Sequence, residues 1–262
     1  MKKLLAAILA IGLVLSFAVS SFALVPGDGI WDPDTEPDYK ALSSKTAAPI
    51  SAEMLDLIAE KESILYTRAT YPVSVSLPLT QYPQNNGYYC GPASVRSILM
   101  HKGYNYSQTT LAGNTWLKTD QFSSTPWFLV DGSTMAQYPV PVTLKAITSY
   151  NYVPFPFGPL TTLYESELKL RVQVTTYSNY GVAALGQSKA SSTHPSHLPG
   201  YPTNKDVNHW LAVNGYADSG NTIRIVDSAN SANVSWGANV SPKYTITLTK
   251  FTAFANHRGI VW

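Results

Sequence analysis

The sequence predicts an α+β domain, with helices first and an antiparallel sheet after them, on three observations. Gly91-Pro92 opens an apolar-faced helix, the last third alternates apolar and polar residues in short runs, and a tight Asp218-Ser219-Gly220-Asn221 turn joins two of those runs. Helical pattern followed by strand pattern is the order of an α+β domain.

The N-terminus stands apart from that domain. Lys2 and Lys3 precede an apolar run from Leu4 to Val19, and Ser21-Phe22-Ala23 supplies the small residues that a signal peptidase reads. This is the pattern of a secretory signal peptide cleaved after Ala23, so the expected location is extracellular. The run is shorter than the about 20 apolar residues a bilayer requires, which disfavours a permanent anchor. Residues 24–70 form an N-terminal segment of two parts. Leu24 to Pro49 is rich in Pro, Asp, Ser and Thr, and reads as an extended linker. Its Asp32, Asp34, Glu36 and Asp38 alternate, but without the turn glycine and terminal glutamate of a calcium loop. Ser51 to Tyr66 then carries Met54, Leu57, Ile58 and Leu65 on one helical face behind a capping serine. Two roles are open to that helix: permanent packing on the domain, or a prosegment that covers a cleft until it is removed.

The main domain spans residues 71–262. Val73, Val75 and Leu77 alternate with Ser74 and Ser76 as in a half-buried strand, which Pro78 and Pro83 end. The helix opened by Gly91-Pro92 presents Val95, Ile98, Leu99 and the Lys102 stem, and stops at Gly103 in a left-handed cap. Ser107 to Phe157 reads as polar turns with a short helix over Val142 to Tyr150. Leu160 to Tyr180 is ambiguous from its pattern, alternating like a strand while Thr162 and Glu165 make a capping box for a helix that ends at Gly181. Strands follow at Val182 to Leu185, His209 to Tyr216, Thr222 to Asp227 and Tyr244 to Leu248.

Charge and composition exclude some functions. The formal charge of +2 comes wholly from Lys2 and Lys3, so the chain after Ala23 is neutral and no basic cluster points to nucleic acid. No metal-ligand or cofactor motif stands out; His194 and His197 lie in a polar loop without further ligands around them.

The single cysteine carries the chemistry. A lone thiol in an exported chain has no internal partner, so Cys90 is either buried or employed. It immediately precedes Gly91-Pro92, so it faces unpaired N–H groups and the positive end of a helix dipole, both of which favour thiolate. Gly91 leaves space beside the backbone for a substrate carbonyl. Among five histidines, His101 lies about 16 Å along the same helix, and His257 has no acidic neighbour in sequence. His209 opens a strand after a polar loop, and the antiparallel return of the next strand brings Asp227 beside it. A carboxylate there can accept the Nδ1 proton and stabilise an imidazolium.

Tyr89-Cys90-Gly91-Pro92-Ala93-Ser94, His209-Trp210 through Asn214-Gly215-Tyr216, and Val226-Asp227 together resemble the free-standing secreted relatives of bacteriocin-processing, double-glycine leader cysteine peptidases. The resemblance spans roughly residues 73–262. It implies a papain-like fold, with the cysteine at a helix N-terminus against an antiparallel sheet carrying His and Asp, and it favours the helix for Leu160 to Tyr180. It further implies a bacterial cysteine peptidase acting on peptide or protein, with no cofactor, in which Cys90 is the nucleophile, His209 the general base and acid, and Asp227 the orienter. An upstream glutamine would be the oxyanion donor; Gln84, six residues before Cys90, has the papain-like spacing and is preferred over Gln81. Relatives fused to exporters carry transmembrane helices and a nucleotide-binding domain, of which this sequence has no sign. Two other functions use the same residues or fold: acyl transfer to an amine, and a non-catalytic module gripping peptide or cell wall through its many aromatic residues. Tyr88, Tyr89, Trp127 and Trp210 suit either a subsite or the core.

Overall fold

The structure is a computed structural model that describes residues 50–65, 70–130, 136–157 and 162–262. The expected signal peptide, the acidic linker and the junction at Arg68-Ala69 lie outside the described residues.

Among the described residues, seven α-helices and nine strands follow one another. They are α1 (Ala52–Leu65), β1 (Val75–Ser76), α2 (Cys90–His101), α3 (Gln108–Ala112), α4 (Thr119–Phe122), β2 (Leu129–Val130), β3 (Ala136–Gln137), α5 (Pro139–Thr148), β4 (Pro154–Phe155), α6 (Glu165–Tyr177), β5 (Val182–Ser188), β6 (Val207–Ala217), β7 (Thr222–Val226), β8 (Lys243–Thr247), α7 (Leu248–Ala255) and β9 (Gly259–Val261). The main sheet is antiparallel in the order β4-β9-β5-β6-β7-β8, and β1 pairs with the far end of β6. Its centre is buried on both faces. Val182, Ala184, Leu211, Val213, Ile223 and Ile225 join one core with α1, α6 and α7, while Ala183, Leu185, Trp210 and Ala212 join another with Cys90, α2 and α5.

This is the expected α+β architecture, with local differences. β1 shrinks to two residues because only Val75 and Ser76 meet β6, and Val73 is 67% exposed. α2 begins at Cys90 itself, and Gly103 supplies the left-handed turn at φ +85°. α6 is a helix, but its start is Tyr164, whose N–H donates to the Glu167 carboxylate, rather than a Thr162–Glu165 box. It ends at Tyr177, with left-handed Asn179 rather than Gly181 making the exit. α3, α4 and α7 are too short for their periodicity to show in the sequence. α7 replaces the last residue of the expected strand, with Thr247 as its cap.

α1 forms where capping and apolar spacing place it, with Ser51 Oγ accepting from Met54 N–H at 3.2 Å. Ile58 and Leu65 enter the first core. Lys61, which a helical wheel would leave in water, is also buried. Its Nζ donates to Asn151 O at 2.6 Å and lies over the rings of Tyr150, Tyr152 and Trp262. One residue on, Glu62 receives both its oxygens' hydrogen bonds from Arg171 Nη2, at 2.6 and 2.7 Å. α1 thus packs on the domain through Ile58, Lys61, Glu62 and Leu65.

Arg171 is buried on α6, against Phe155. Glu62→Ala therefore strands a guanidinium, at a cost of about 3 kcal/mol, and lowers the urea midpoint, whereas Lys61→Met, which keeps the packing and removes an amine whose charged form burial disfavours, does not. Equal losses in both variants would mean that helix packing alone, and not the ion pair, fixes α1.

Candidate active site

Cys90 is the first residue of α2. Tyr89 precedes it as N-cap with no side-chain cap, and Pro92 has no N–H, so the first N–H groups of this turn point past the thiol. The helix is held against the sheet by Ser94 Oγ, which donates to Trp210 O at 3.0 Å. Trp210 in turn donates from Nε1 to Thr125 O at 2.8 Å and stacks on Trp127 at 5.7 Å. Trp210, Trp127 and Tyr89 are thus core side chains; Tyr88 is half-buried and packs edge-on against Tyr89. Gly91 is needed, for a reason different from the expected one. A Cβ there would lie 2.1 Å from Thr125 Oγ1 and 2.4 Å from its Cβ, so Thr125 fills the space the sequence reserves for a substrate carbonyl.

His209 is the third residue of β6 rather than its first, and lies opposite Gly186 of β5. β7 returns antiparallel through three consecutive positive-φ residues, Asp218, Ser219 and Gly220. Asp227, just past the end of β7, is thereby brought to His209, with Nε2 and Oδ1 2.9 Å apart and both side chains fully buried. The nitrogen differs from the one expected. A carboxylate can only accept, so Nε2 carries the hydrogen and Nδ1 is turned away from Asp227. Nδ1 has no oxygen or nitrogen partner among the described residues, and Cys90 acts on the ring by hydrogen bond and by charge.

Asp227 is satisfied on every side. Oδ1 also accepts from Ala229 N–H at 2.9 Å, and Oδ2 accepts from Tyr201 Oη at 2.9 Å and Tyr244 Oη at 2.7 Å. Burial alone would raise its pKa, but the charge and hydrogen bond of His209, with the Ala229 and Tyr244 hydrogen bonds, hold it below the ordinary 3.8. For His209, burial acts to lower the pKa; Asp227 and then Cys90 outweigh it and push the value up from 6.5 to about 10. Neither tyrosine stood out in sequence. Tyr201 follows the polar loop that holds His194 and His197, and both it and Leu198 of that loop are buried.

The two glutamines take different positions. Gln81 Nε2 donates to Asp227 O and to Asn230 O, both at 3.1 Å, so both its hydrogens are committed to backbone. Gln84 is buried, and its Nε2 donates to Asn86 O at 2.8 Å, in the turn leading to Cys90. Its backbone is fastened to the segment after Asp227: N–H donates to Ser228 O, while Ser231 Oγ and Asn233 Nδ2 donate to its carbonyl. Gln108 braces the same stretch through Pro83 O and Asn85 N–H.

A model of the Peptidase_C39 like family matches residues 76–253. This chain belongs to that family. As a Peptidase_C39 like protein it is a cysteine-type peptidase with a papain-like fold, and its substrates are peptides or proteins. Among solved structures it is similar to xylellain, a cysteine protease from Xylella fastidiosa, at 14% identity over 93% of this chain and 96% of that one, with a TM-score of 0.39. No curated protein matches it. The family match contains Cys90, His209 and Asp227. Among the described residues no helix is long and apolar enough to cross a membrane.

The raised His209 pKa has a thermodynamic consequence of definite sign. A histidine held above its unfolded value contributes stability that is fully present below about 6.5 and is lost as pH rises through about 10. Asp227, held low, contributes stability present above 3.8 and lost as pH falls through its lowered value. Wild type should therefore exceed Asp227→Asn in thermal midpoint most near pH 6, with the gap narrowing toward pH 10. A gap independent of pH would show that no charged pair forms.

Proposed function

We propose that Cys90 is the nucleophile of an exported peptidase that cleaves amide bonds through an acyl-thioester, with His209 as proton carrier and Asp227 as its orienter. The observation that carries this reading is the hydrogen bond from His209 Nε2 to Asp227 Oδ1, which leaves Nδ1 for a thiol at the head of α2. Transfer of the thiol proton from Sγ to Nδ1 makes the sulfur the nucleophile. Sγ attacks the substrate carbonyl carbon, and the carbonyl π electrons pass to oxygen. The imidazolium then gives its Nδ1 proton to the leaving nitrogen, the C–N bond breaks, and the acyl group remains on sulfur. Water attacks the thioester while Nδ1 takes its proton, the acid leaves, and thiolate and imidazolium are restored.

Hydrogen-bond capacity supports Gln84 as the oxyanion donor. Both hydrogens of Gln81 Nε2 are held by carbonyls, whereas Gln84 Nε2 gives one to Asn86 O and keeps one to share with an oxyanion beside the Cys90 N–H. The Lys2-Lys3 start, apolar run and Ser21-Phe22-Ala23 site support export, with a mature chain that begins at Leu24.

Cys90→Ala should abolish peptide hydrolysis with the thermal midpoint nearly unchanged; retained hydrolysis would exclude Cys90. Gln84→Ala should lower kcat by roughly 10² to 10³ with a small change in KM. Gln81→Ala should act mainly on stability, and a larger kcat loss there than in Gln84→Ala would exchange their roles. N-terminal sequencing of protein recovered from the culture medium should begin at Leu24, and recovery only with cells would exclude export.

A further inference from the structure

Asp227 has more partners than an orienter of His209 requires. One oxygen serves the imidazole, and the other takes two phenolic hydrogen bonds from parts of the chain far apart in sequence. Tyr201 comes from the loop before β6, and Tyr244 from β8. Tyr201 also stands edge-on to the imidazole, with centroids 5.8 Å apart, and leans on Trp236 at 4.6 Å. Its backbone is placed with little latitude: Gly200, at φ +80°, approaches so closely that a Cβ would lie 2.1 Å from Asn239 O. Burial keeps both phenols protonated, as donors, far above neutral pH.

These contacts divide the carboxylate's two oxygens. Oδ2 is occupied by donors that cannot be confused with the imidazole, so Oδ1 is the one left to face Nε2, and the ring cannot turn without losing it. We propose that Tyr201 and Tyr244 are positioning residues of the peptidase, clamping Oδ2 of Asp227 so that Oδ1 holds His209 with Nδ1 toward Cys90. The proposal rests on the reading of His209 and Asp227 as proton carrier and orienter. Through this clamp the loop at residues 189–206 and strand β8, neither of which carries a reacting group, set the alignment of the base.

The test is a double-mutant cycle read by alkylation of Cys90 with iodoacetamide, which needs no knowledge of the substrate. Tyr201→Phe and Tyr244→Phe remove one donor each and keep the ring. Each should slow alkylation roughly tenfold, the scale of one hydrogen bond to a charged group. In an Asp227→Asn background the same changes should alter the rate less than about twofold, because residues that act through Asp227 lose their effect with it. Equal losses in both backgrounds would overturn the proposal and leave the tyrosines as packing only. If one variant does not fold, the other completes the cycle. A second readout is the downfield proton resonance of the His209 Nε2–H···Oδ1 bond, expected in wild type and displaced in both tyrosine variants; an unchanged resonance would equally overturn it. Failure of the peptidase reading has a separate signature, namely wild-type Cys90 alkylated no faster than in His209→Ala while the resonance still responds to the tyrosines.

Discussion

A carboxylate taken wholly out of water must have its charge met from every side, and much of the architecture follows from that requirement at Asp227. The hairpin from β6 to β7 delivers the imidazole, and the turn after β7 delivers the Ala229 N–H. β8 and the loop before β6 deliver the two phenols. The His209 ring meets the carboxylate through Nε2 and is also acted on by Cys90. Removing any donor leaves charge uncompensated on a side chain that has no exposure to water.

The stretch leading to Cys90 is sewn to the same region by backbone contacts. Gln81 reaches the carbonyls of Asp227 and Asn230, and Gln84 is bonded through N–H and carbonyl to residues 228–233. The stretch holding Gln81 and Gln84 and the segment from Asp227 to Asn233 are therefore fastened to each other. The thiol comes from the opposite core layer, through α2, which is tied to β6 by Ser94 and to the residue-125 segment by the Gly91–Thr125 contact. Preorganisation of this kind is what electrostatic catalysis asks for, since the dipoles are in place before charge develops.

Much of this was legible in sequence where local pattern and chemistry coincide. Cys90 before Gly91-Pro92 could be read because a helix start has its own residue preferences, and Asp227 beside His209 because a tight turn between alternating runs sets which residues lie near each other. The identity of the bonded nitrogen could not be read, since ring rotation is decided by contacts from residues 201 and 244, which no periodicity links to His209. Gly91 illustrates the same limit: its lack of a side chain was plain, but the occupant of the space, Thr125, lies more than thirty residues away. Lys61 escaped because hydropathy treats a lysine as solvent-facing, although its stem and ammonium fit a cage of three rings. β1 was read too long because alternation describes a strand's faces and not whether a neighbour exists to pair with it.

The strand order bears on when the enzyme can first act. β9 follows Cys90, His209 and Asp227 in the chain, yet it lies between β4 and β5, and Trp262 just beyond it completes the cage around Lys61. While a ribosome is still adding those residues, β5 has β6 on one side and no neighbour on the other. The contacts that finish the sheet are among the most distant in sequence, and such contacts form late. A nascent chain thus carries Cys90, His209 and Asp227 before it has the strand that joins β4 to β5.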